Sequence, residues 1–284
     1  MESFRVAAVQ MNAMRGELKL SLEIHERFAR AAAEAGCRLA LFPELGVTGH
    51  YGDEQVTEFA EEAESGRIWE TMSSLARELG IFISYGLCEA AHGTFYNSQV
   101  LAGPEGIVGV QRKMHASKDE YFHFRMGREF GVFDLGFARV GTLVCFDSNF
   151  FEGWRVLALM GADVILLPHA SRSGWGKEIG EAEQKNSLKK TLDGLPGRYG
   201  RYCADNSVYA VFCNQAGYNG HSTHSGGAYV LGPGGGVVAR SEPAIDELMI
   251  TADIDADALE ESRRRNAVMR CRRPEVYGEI TRMI

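Results

Sequence analysis

Three polar side chains stand where apolar runs break off, and their types are those of nucleophilic catalysis. Glu44 closes the run in LFPELGVTG, Lys113 follows GVQR, and Cys145 ends TLVC. A charged group at the end of a buried strand is costly to desolvate unless it is paired, so a carboxylate and an ammonium at the same edge as a thiol would satisfy one another. Such a meeting also suits chemistry. The carboxylate can take the thiol proton, the thiolate can attack a carbonyl carbon, and the ammonium can hold the charge that develops on oxygen. Each residue has a plainer reading taken singly: Glu44 as a turn former, Lys113 as a surface lysine, Cys145 as a small buried hydrophobe. For a lone cysteine after a strand the last is the commoner case, and spacing alone does not show that the three converge.

The elements that must position them can be read from periodicity. Val140 to Val144 is β-rich, and Phe146, Asp147, Ser148 and Asn149 read as a strand breaking off toward a helix. In open α/β sheets, reactive groups gather beyond the carboxyl ends of strands, where N–H groups at the next helix start can hold an anion. FRVAAV is an opening strand, and a helix from about Leu18 to Ala35 carries Leu20, Ile24, Phe28 and Ala31 at near-helical spacing. Gly36 closes it before RLALFPE. The pattern repeats as helix Arg67 to Leu79, Gly80 and IFISYG, then as helix Trp154 to Met160, Gly161 and DVILLPHA. A helix ending near Cys203 to Asp205 precedes SVYAVFCNQ.

Four such rounds predict an α/β architecture with helices on at least one face. VLAGPEGIV and VLGPGGGVV echo one another as strand, turn and returning strand, which predicts two similar halves and a mixed sheet or two packed sheets. Gly232 to Gly236 reads as a turn, since no Lys-Ser or Lys-Thr follows and a strand comes next. Ser173 to Pro196 reads as a lid, an interface or a plain surface loop with helix, and its mixed charge and glycines fit a mobile cover. From Asp255 onward a charged helix, ADALEESRRRNAVMR, leads into RRPEVYGEI, an arm whose arginines read as solvated or as packed on a partner subunit.

LLPHASRSGW brings His169, Ser171, Arg172 and Trp175 toward the edge that carries the cysteine, and CNQAGYNGH supplies Asn214. These are candidate substrate-binding residues. A histidine after a strand is more often structural than catalytic. Pairing His169 with Cys145 as a Cys-His hydrolase would leave Glu44 and Lys113 unexplained. Arg172 reads either as a partner for a substrate carboxylate or as a solvent-facing residue.

Composition sets the outer limits. The 284 residues are 45% hydrophobic and 24% charged, ordinary for a globular chain able to bury a sizeable core. A net charge of -8 without blocks of like charge gives no electrostatic case for nucleic acid or an anionic membrane. MESFRVAAVQMN does not read as a secretory leader, and no run reaches membrane-spanning length. Cys37, Cys88, Cys145, Cys203, Cys213 and Cys271 form no CxxC pair and no metal-ligand spacing, which fits reduced thiols in the cytoplasm and no metal.

LFPELGVTG, the Arg-Lys of VQRKMH, and GTLVCFDSNFFE resemble, in order, the three signature blocks of the nitrilase superfamily of carbon-nitrogen hydrolases. The resemblance runs from FRVAAVQMN to RRPEVYG. It implies one domain over residues 1–284, an αββα sandwich of two mixed sheets, and an arm from about 255 in oligomer contacts. It also implies a homodimer or larger assembly in which two sandwiches share an extended core. On the same resemblance Glu44 is the general base, Cys145 the nucleophile, and Lys113 with the Phe146 N–H the oxyanion hole. KDEYFHFRMGREF puts Glu120 at the position of a second glutamate that orients substrate or shuttles protons.

Phe150, Phe151 and Glu152 replace a common Phe-Pro-Glu, and MHASKD replaces an aliphatic-Pro run, which changes the expected helix start and pocket wall. Phe146 and Asp147, where nitrilases carry Trp-Glu, point to an amide or carbamoyl substrate rather than a nitrile. The expected activity is therefore cofactor-free hydrolysis of a small linear amide through a thioester. N-carbamoyl amine or amino-acid hydrolysis is the first alternative, with nitrile hydrolysis, acyl transfer and an inactive binding protein behind it.

Overall fold

Alternation along the first strand dictates the layering. In β1 (Phe4–Gln10), Phe4, Val6 and Ala8 face one way and Ala7 and Val9 the other, and both sets are buried. A strand buried on both faces must lie inside a stack, with another layer on each side. The computed structural model, which describes residues 1–50, 54–118 and 120–282, supplies both layers. Asp119 of MHASKD lies outside the described residues.

In chain order α1 (Leu18–Glu34), β2 (Cys37–Leu41), α2 (Arg67–Leu79), β3 (Phe82–Ala91), β4 (Thr94–Gly103) and β5 (Gly106–Arg112) build the first half. A short α3 (Glu120–His123) leads to β6 (Val132–Asp134), β7 (Arg139–Thr142), α4 (Phe151–Leu159), β8 (Val164–His169), β9 (Arg172–Gly174) and α5 (Glu181–Asn206). Then follow β10 (Tyr209–Asn214), β11 (Ala216–Tyr218), β12 (Thr223–Ser225), β13 (Ala228–Leu231), β14 (Val237–Arg240), β15 (Leu248–Ile254), α6 (Ala256–Arg265) and α7 (Ala267–Arg270).

Among the described residues the strands form two six-stranded sheets, β15-β1-β2-β3-β4-β5 and β14-β13-β10-β8-β7-β6, and a small sheet of β11, β12 and β9. Both large sheets are mixed. β1, β2 and β3 run parallel, as do β7, β8 and β10, and the outer pairings are antiparallel. The two echoing segments are the hairpins β4–β5 and β13–β14, each with a register shift near its turn. The expected similarity of the halves is therefore present in the strand pairing.

The sheets meet face to face through Val6, Leu39 and Leu41 on one side and Val164, Leu166, Val211 and Val230 on the other. α1 and α2 cover the outer face of the first sheet with Leu22, Ile24, Ile68 and Met72. α4 and α5 cover the second with Trp154, Leu157, Leu188, Leu192 and Tyr199. The order helix, sheet, sheet, helix is the expected four-layer sandwich. At roughly 25 cal/mol per Å² of apolar surface, three such buried layers are the dominant stabilising term.

Three expectations are narrowed or changed. Of the readings open for residues 173–196, the one that includes a helix matches the structure: α5 starts at Glu181, and Leu188, Leu192, Tyr199 and Cys203 recur on its buried side. Pro196 is buried inside it, withholding one N–H without ending the helix. α4 starts at Phe151, three residues before Trp154. In the tail, Arg263 is not simply solvated, because it pairs with Asp163 at 2.8 Å and donates to the Ala162 carbonyl at 2.8 Å. Beyond it, short helical turns leave Val276, Tyr277 and Ile280 exposed. Among the described residues no helix is long and apolar enough to cross a membrane.

Candidate active site

Glu44 leaves β2 on a tight turn. Gly46 N–H donates to the Pro43 carbonyl at 3.1 Å, and Leu45 adopts a left-handed φ of 48°. The turn presses on β3 at Gly86, where a Cβ would sit 2.7 Å from the Pro43 oxygen and collide with the Leu45 backbone. Only glycine allows that approach. From the outer layer, the His25 ring stacks on Phe42 at 4.3 Å and fixes the base of the turn. Lys113, one residue past β5, is held by its backbone between Asn97 and Gly127.

These placements bring the charges together. Lys113 Nζ donates to Glu44 Oε1 at 2.6 Å and to both oxygens of Glu120 at 2.8 and 2.9 Å. Asn97 Nδ2 bridges the same carboxylates at 2.7 and 3.1 Å. Ala170 N–H donates to Glu44 Oε2 at 2.8 Å, and the Ser117 backbone and hydroxyl both donate to Glu120 Oε2 at 2.7 Å. Glu44 is 0% exposed, Glu120 3% and Lys113 4%, so two buried carboxylates share one buried ammonium. Burial pushes the Glu44 carboxyl up, but the Lys113 ammonium, assisted by His50, outweighs it and leaves Glu44 below its ordinary value. Glu120 is held well below by the same contest. Burial pulls Lys113 down, yet the two carboxylates hold it well above the usual ammonium value.

Cys145 begins a helical turn, Cys145–Asn149, with φ of 49°, a left-handed conformation that non-glycine residues hold at a cost of roughly 1–3 kcal/mol. Its neighbours hold it there. Asp147 accepts from the backbone N–H groups of Val144, Met114 and His115 at 3.2, 3.2 and 2.8 Å, tying the cysteine turn to the chain just after Lys113. Burial, with the charges of Glu44 and Glu120, raises the thiol pKa against the pull of Lys113. The resting group is therefore a thiol beside an ionised carboxylate.

A second network fixes the histidine. Ser148 donates its only hydroxyl proton to the Cys145 carbonyl at 2.6 Å, so Tyr199 OH at 2.7 Å and His169 Nε2 at 3.2 Å must donate to Ser148. His169 Nδ1 is then the acceptor, facing the Ser171 hydroxyl at 3.0 Å. Cys145 Sγ lies 3.9 Å from that hydroxyl. Burial holds the His169 pKa down at about 3. A neutral imidazole with both nitrogens engaged by serines is poorly placed to deprotonate the thiol, which weighs against a Cys-His pair.

Cys145, Lys113, Phe146, His169, Ser171, Arg172 and Trp175 line one cavity of about 650 Å³. Glu44 and Glu120 lie just behind its wall, bonded to Lys113. Asn214 lies behind Ser171: its carbonyl accepts from Ser171 N–H at 2.8 Å and its amide donates to the Ser171 and Gly226 carbonyls. Fully buried, it braces the wall instead of facing the cavity. A wider groove of about 1010 Å³ runs past Glu89, Tyr96 and Arg112, but none of Glu44, Lys113 and Cys145 lines it.

Glu44, His50 and Glu120 hold oxygen and nitrogen atoms within 4.8 Å of one another, a spacing open to a cation. Lys113 Nζ stands between the carboxylates and already supplies the positive charge. Sequence reasoning missed Asn97, His50, Ser117, Ser148 and Tyr199. The available signal was polarity inside an apolar run, as at Asn97 in the two-sided strand TFYNSQVLAG.

Residues 5–264 match the family model described as carbon-nitrogen hydrolase. A nitrilase from Pyrococcus abyssi is 31% identical over 96% of this chain and 98% of its own. An N-carbamoylputrescine amidase from Solanum tuberosum is 29% identical over 96% of this chain and 93% of its own. The crystal structure of a carbon-nitrogen hydrolase from Helicobacter pylori superimposes with a TM-score of 0.85, covering 99% of both chains at 23% identity.

Proposed function

The chain belongs to the carbon-nitrogen hydrolases, enzymes acting on non-peptide carbon-nitrogen bonds, and from that premise we propose that it hydrolyses a small linear amide through a thioester on Cys145. In this proposal Glu44 takes the thiol proton and the thiolate attacks the amide carbonyl. Lys113 and the Phe146 N–H hold the tetrahedral oxyanion, and Glu44 returns the proton to the departing amine. Water, deprotonated by Glu44, then opens the thioester and releases the acid. Glu120 keeps the Lys113 ammonium charged and aimed. His169, Ser171, Arg172 and Trp175 shape the substrate cavity, with Asn214 behind them. None of these steps calls on a cofactor.

The observation that carries the proposal is Lys113 Nζ joined to both Glu44 and Glu120 on the wall of the cavity that Cys145 lines. N-carbamoyl amine hydrolysis is the second reading, favoured by the similarity to the Solanum tuberosum amidase. A panel of simple amides, carbamoyl compounds and nitriles tests both. Ammonia release from simple amides, lost in Cys145→Ala, supports the first reading; carbon dioxide from carbamoyl compounds alone supports the second, and nitrile turnover alone overturns both.

We also propose a homodimer or larger assembly of a single catalytic domain. Exposed Val156, Leu159 and Met160 near α4, together with the exposed apolar residues of the arm, support such a contact. Six free cysteines, five of them wholly or partly buried, fit a cytoplasmic, reducing setting.

A further inference from the structure

The charge balance of the cavity changes between floor and mouth. At the floor, the carboxylates of Glu44 and Glu120 offset Lys113. At the mouth stand Lys118 and Arg172, and no aspartate or glutamate occurs among the described residues of the wall. The chain as a whole carries -8, so two cations at one opening are a local departure from an acidic protein.

One aromatic side chain braces both cations. The Arg172 guanidinium lies 4.0 Å from the centroid of the Trp175 ring and the Lys118 ammonium 4.8 Å from it. Trp175 itself is 44% exposed, so the group stands at the entrance and not in the core. Arg172 also contacts His50, which lies 3.5 Å from Glu120, and this links the mouth to the floor. Lys118 holds a left-handed φ of 50°, a conformation that persists where surrounding structure enforces it and that clusters at ligand clamps. Stacking on the indole restrains two long side chains in advance, which lowers the ordering cost when they meet an anion. The cavity, about 650 Å³, is also far larger than a two-carbon amide needs.

We propose that the substrate is an amide bearing a carboxylate at the end remote from the scissile carbon-nitrogen bond, received at the cavity mouth by Lys118 and Arg172 braced on Trp175. The proposal rests on the amide-hydrolase reading for the identity of the scissile bond. The anion preference itself can be measured without turnover. A substrate ending in an ammonium group would meet two like charges at the same place, whereas a carboxylate there completes the balance.

The test is calorimetric binding to the full-length Cys145→Ala protein of three ligands matched in length: glutaric acid monoamide, its methyl ester and 5-aminopentanamide. The monoamide should bind at least about ten-fold more tightly than either other ligand. Lys118→Gln and Arg172→Gln should each shrink that ratio, and added salt should weaken the monoamide most. Lys19→Gln, which removes a charge on α1 outside the cavity, should leave the ratio alone. Equal binding of all three, tighter binding of the ammonium ligand, or a ratio indifferent to both cavity substitutions overturns the proposal. Selective monoamide binding together with a wild-type Cys145 that is never acylated sustains the anion site and overturns the hydrolase chemistry instead.

Discussion

The two large sheets are built alike and used differently. Each has an antiparallel edge strand, three parallel strands and a terminal hairpin, in corresponding order. After β2 comes Glu44; after its counterpart β8 come Ala170, whose N–H donates to Glu44, and Ser171. After β5 comes Lys113; after its counterpart β14 comes Ser241, whose hydroxyl accepts from the Ala228 backbone. Cys145 follows β7, whereas the matching end of β1 continues into Met11, bridged to Gln215. The first half thus contributes the cluster of two carboxylates around one ammonium, and the second contributes the thiol, the Asp147 carboxylate that holds its turn, the Arg172 cation and neutral hydrogen-bonding groups. The frame brings several strand ends to one edge, and the residue at each end decides what that edge does.

Removing the ammonium of that cluster should have the largest effect. Lys113→Met leaves Glu44 and Glu120 facing each other without compensation, which should cost about 3–5 kcal/mol in denaturant unfolding and abolish measurable turnover. Lys113→Arg should not rescue it, because a planar fork cannot take the place of a compact ammonium between three oxygens. Wild-type stability in Lys113→Met would mean that the first half is not held by this pair.

Lowering the pH should strain both halves together. Burial holds His25 in the first half down at about 4 and His169 in the second at about 3, each below its unfolded value near 6.5. Both stay neutral in the fold, so unfolding takes up protons. Their contribution is fully present above pH 6.5 and is lost as pH falls toward the folded values, at about 1.4 kcal/mol per pH unit for each histidine. Glu44 and Glu120, also lowered, lose their contribution only below the ordinary carboxylate range. His224, fully buried and held well below its ordinary value, is a third such group, so urea unfolding between pH 6 and 5 should show a slope that His25→Gln cuts by roughly a third.

Ser148→Ala perturbs the thiol-bearing half alone. It strips partners from the Cys145 carbonyl, Tyr199 and His169, and should cost about 1–3 kcal/mol with a smaller loss of kcat than Lys113→Met. Trp175→Ala should be mildest, moving stability by about 0.5 kcal/mol or less while raising KM. A thermal melt beside steady-state kinetics separates the two.

Much of the frame was legible because four of the parallel strands, β2, β3, β8 and β10, are apolar runs preceded by a helix and a glycine or polar stop. Glu44, Lys113 and Cys145 stood out for the same reason, as polar residues at the ends of such runs. α5 was obscured by Gly194, Pro196 and Gly197, which resemble a loop locally although Leu188, Leu192 and Tyr199 hold the helix to its sheet. β9, β11 and β12 are too short for alternation to register. Asn97, Ser148 and Tyr199 act through partners far along the chain, and spacing in one sequence does not encode those distances. Asn214 was readable as polar and near the edge, but not as standing behind Ser171.

The most direct measurement is intact-protein mass spectrometry of the enzyme quenched with acid during turnover of a simple amide, with the modified residue located by digestion. The expected result is a mass increase equal to one acyl group, confined to Cys145, absent from Cys145→Ala and strongly reduced in Glu44→Gln. Steady release of ammonia with an unmodified Cys145, or an equal rate in Cys145→Ala, would contradict thiol catalysis by this meeting of the two halves.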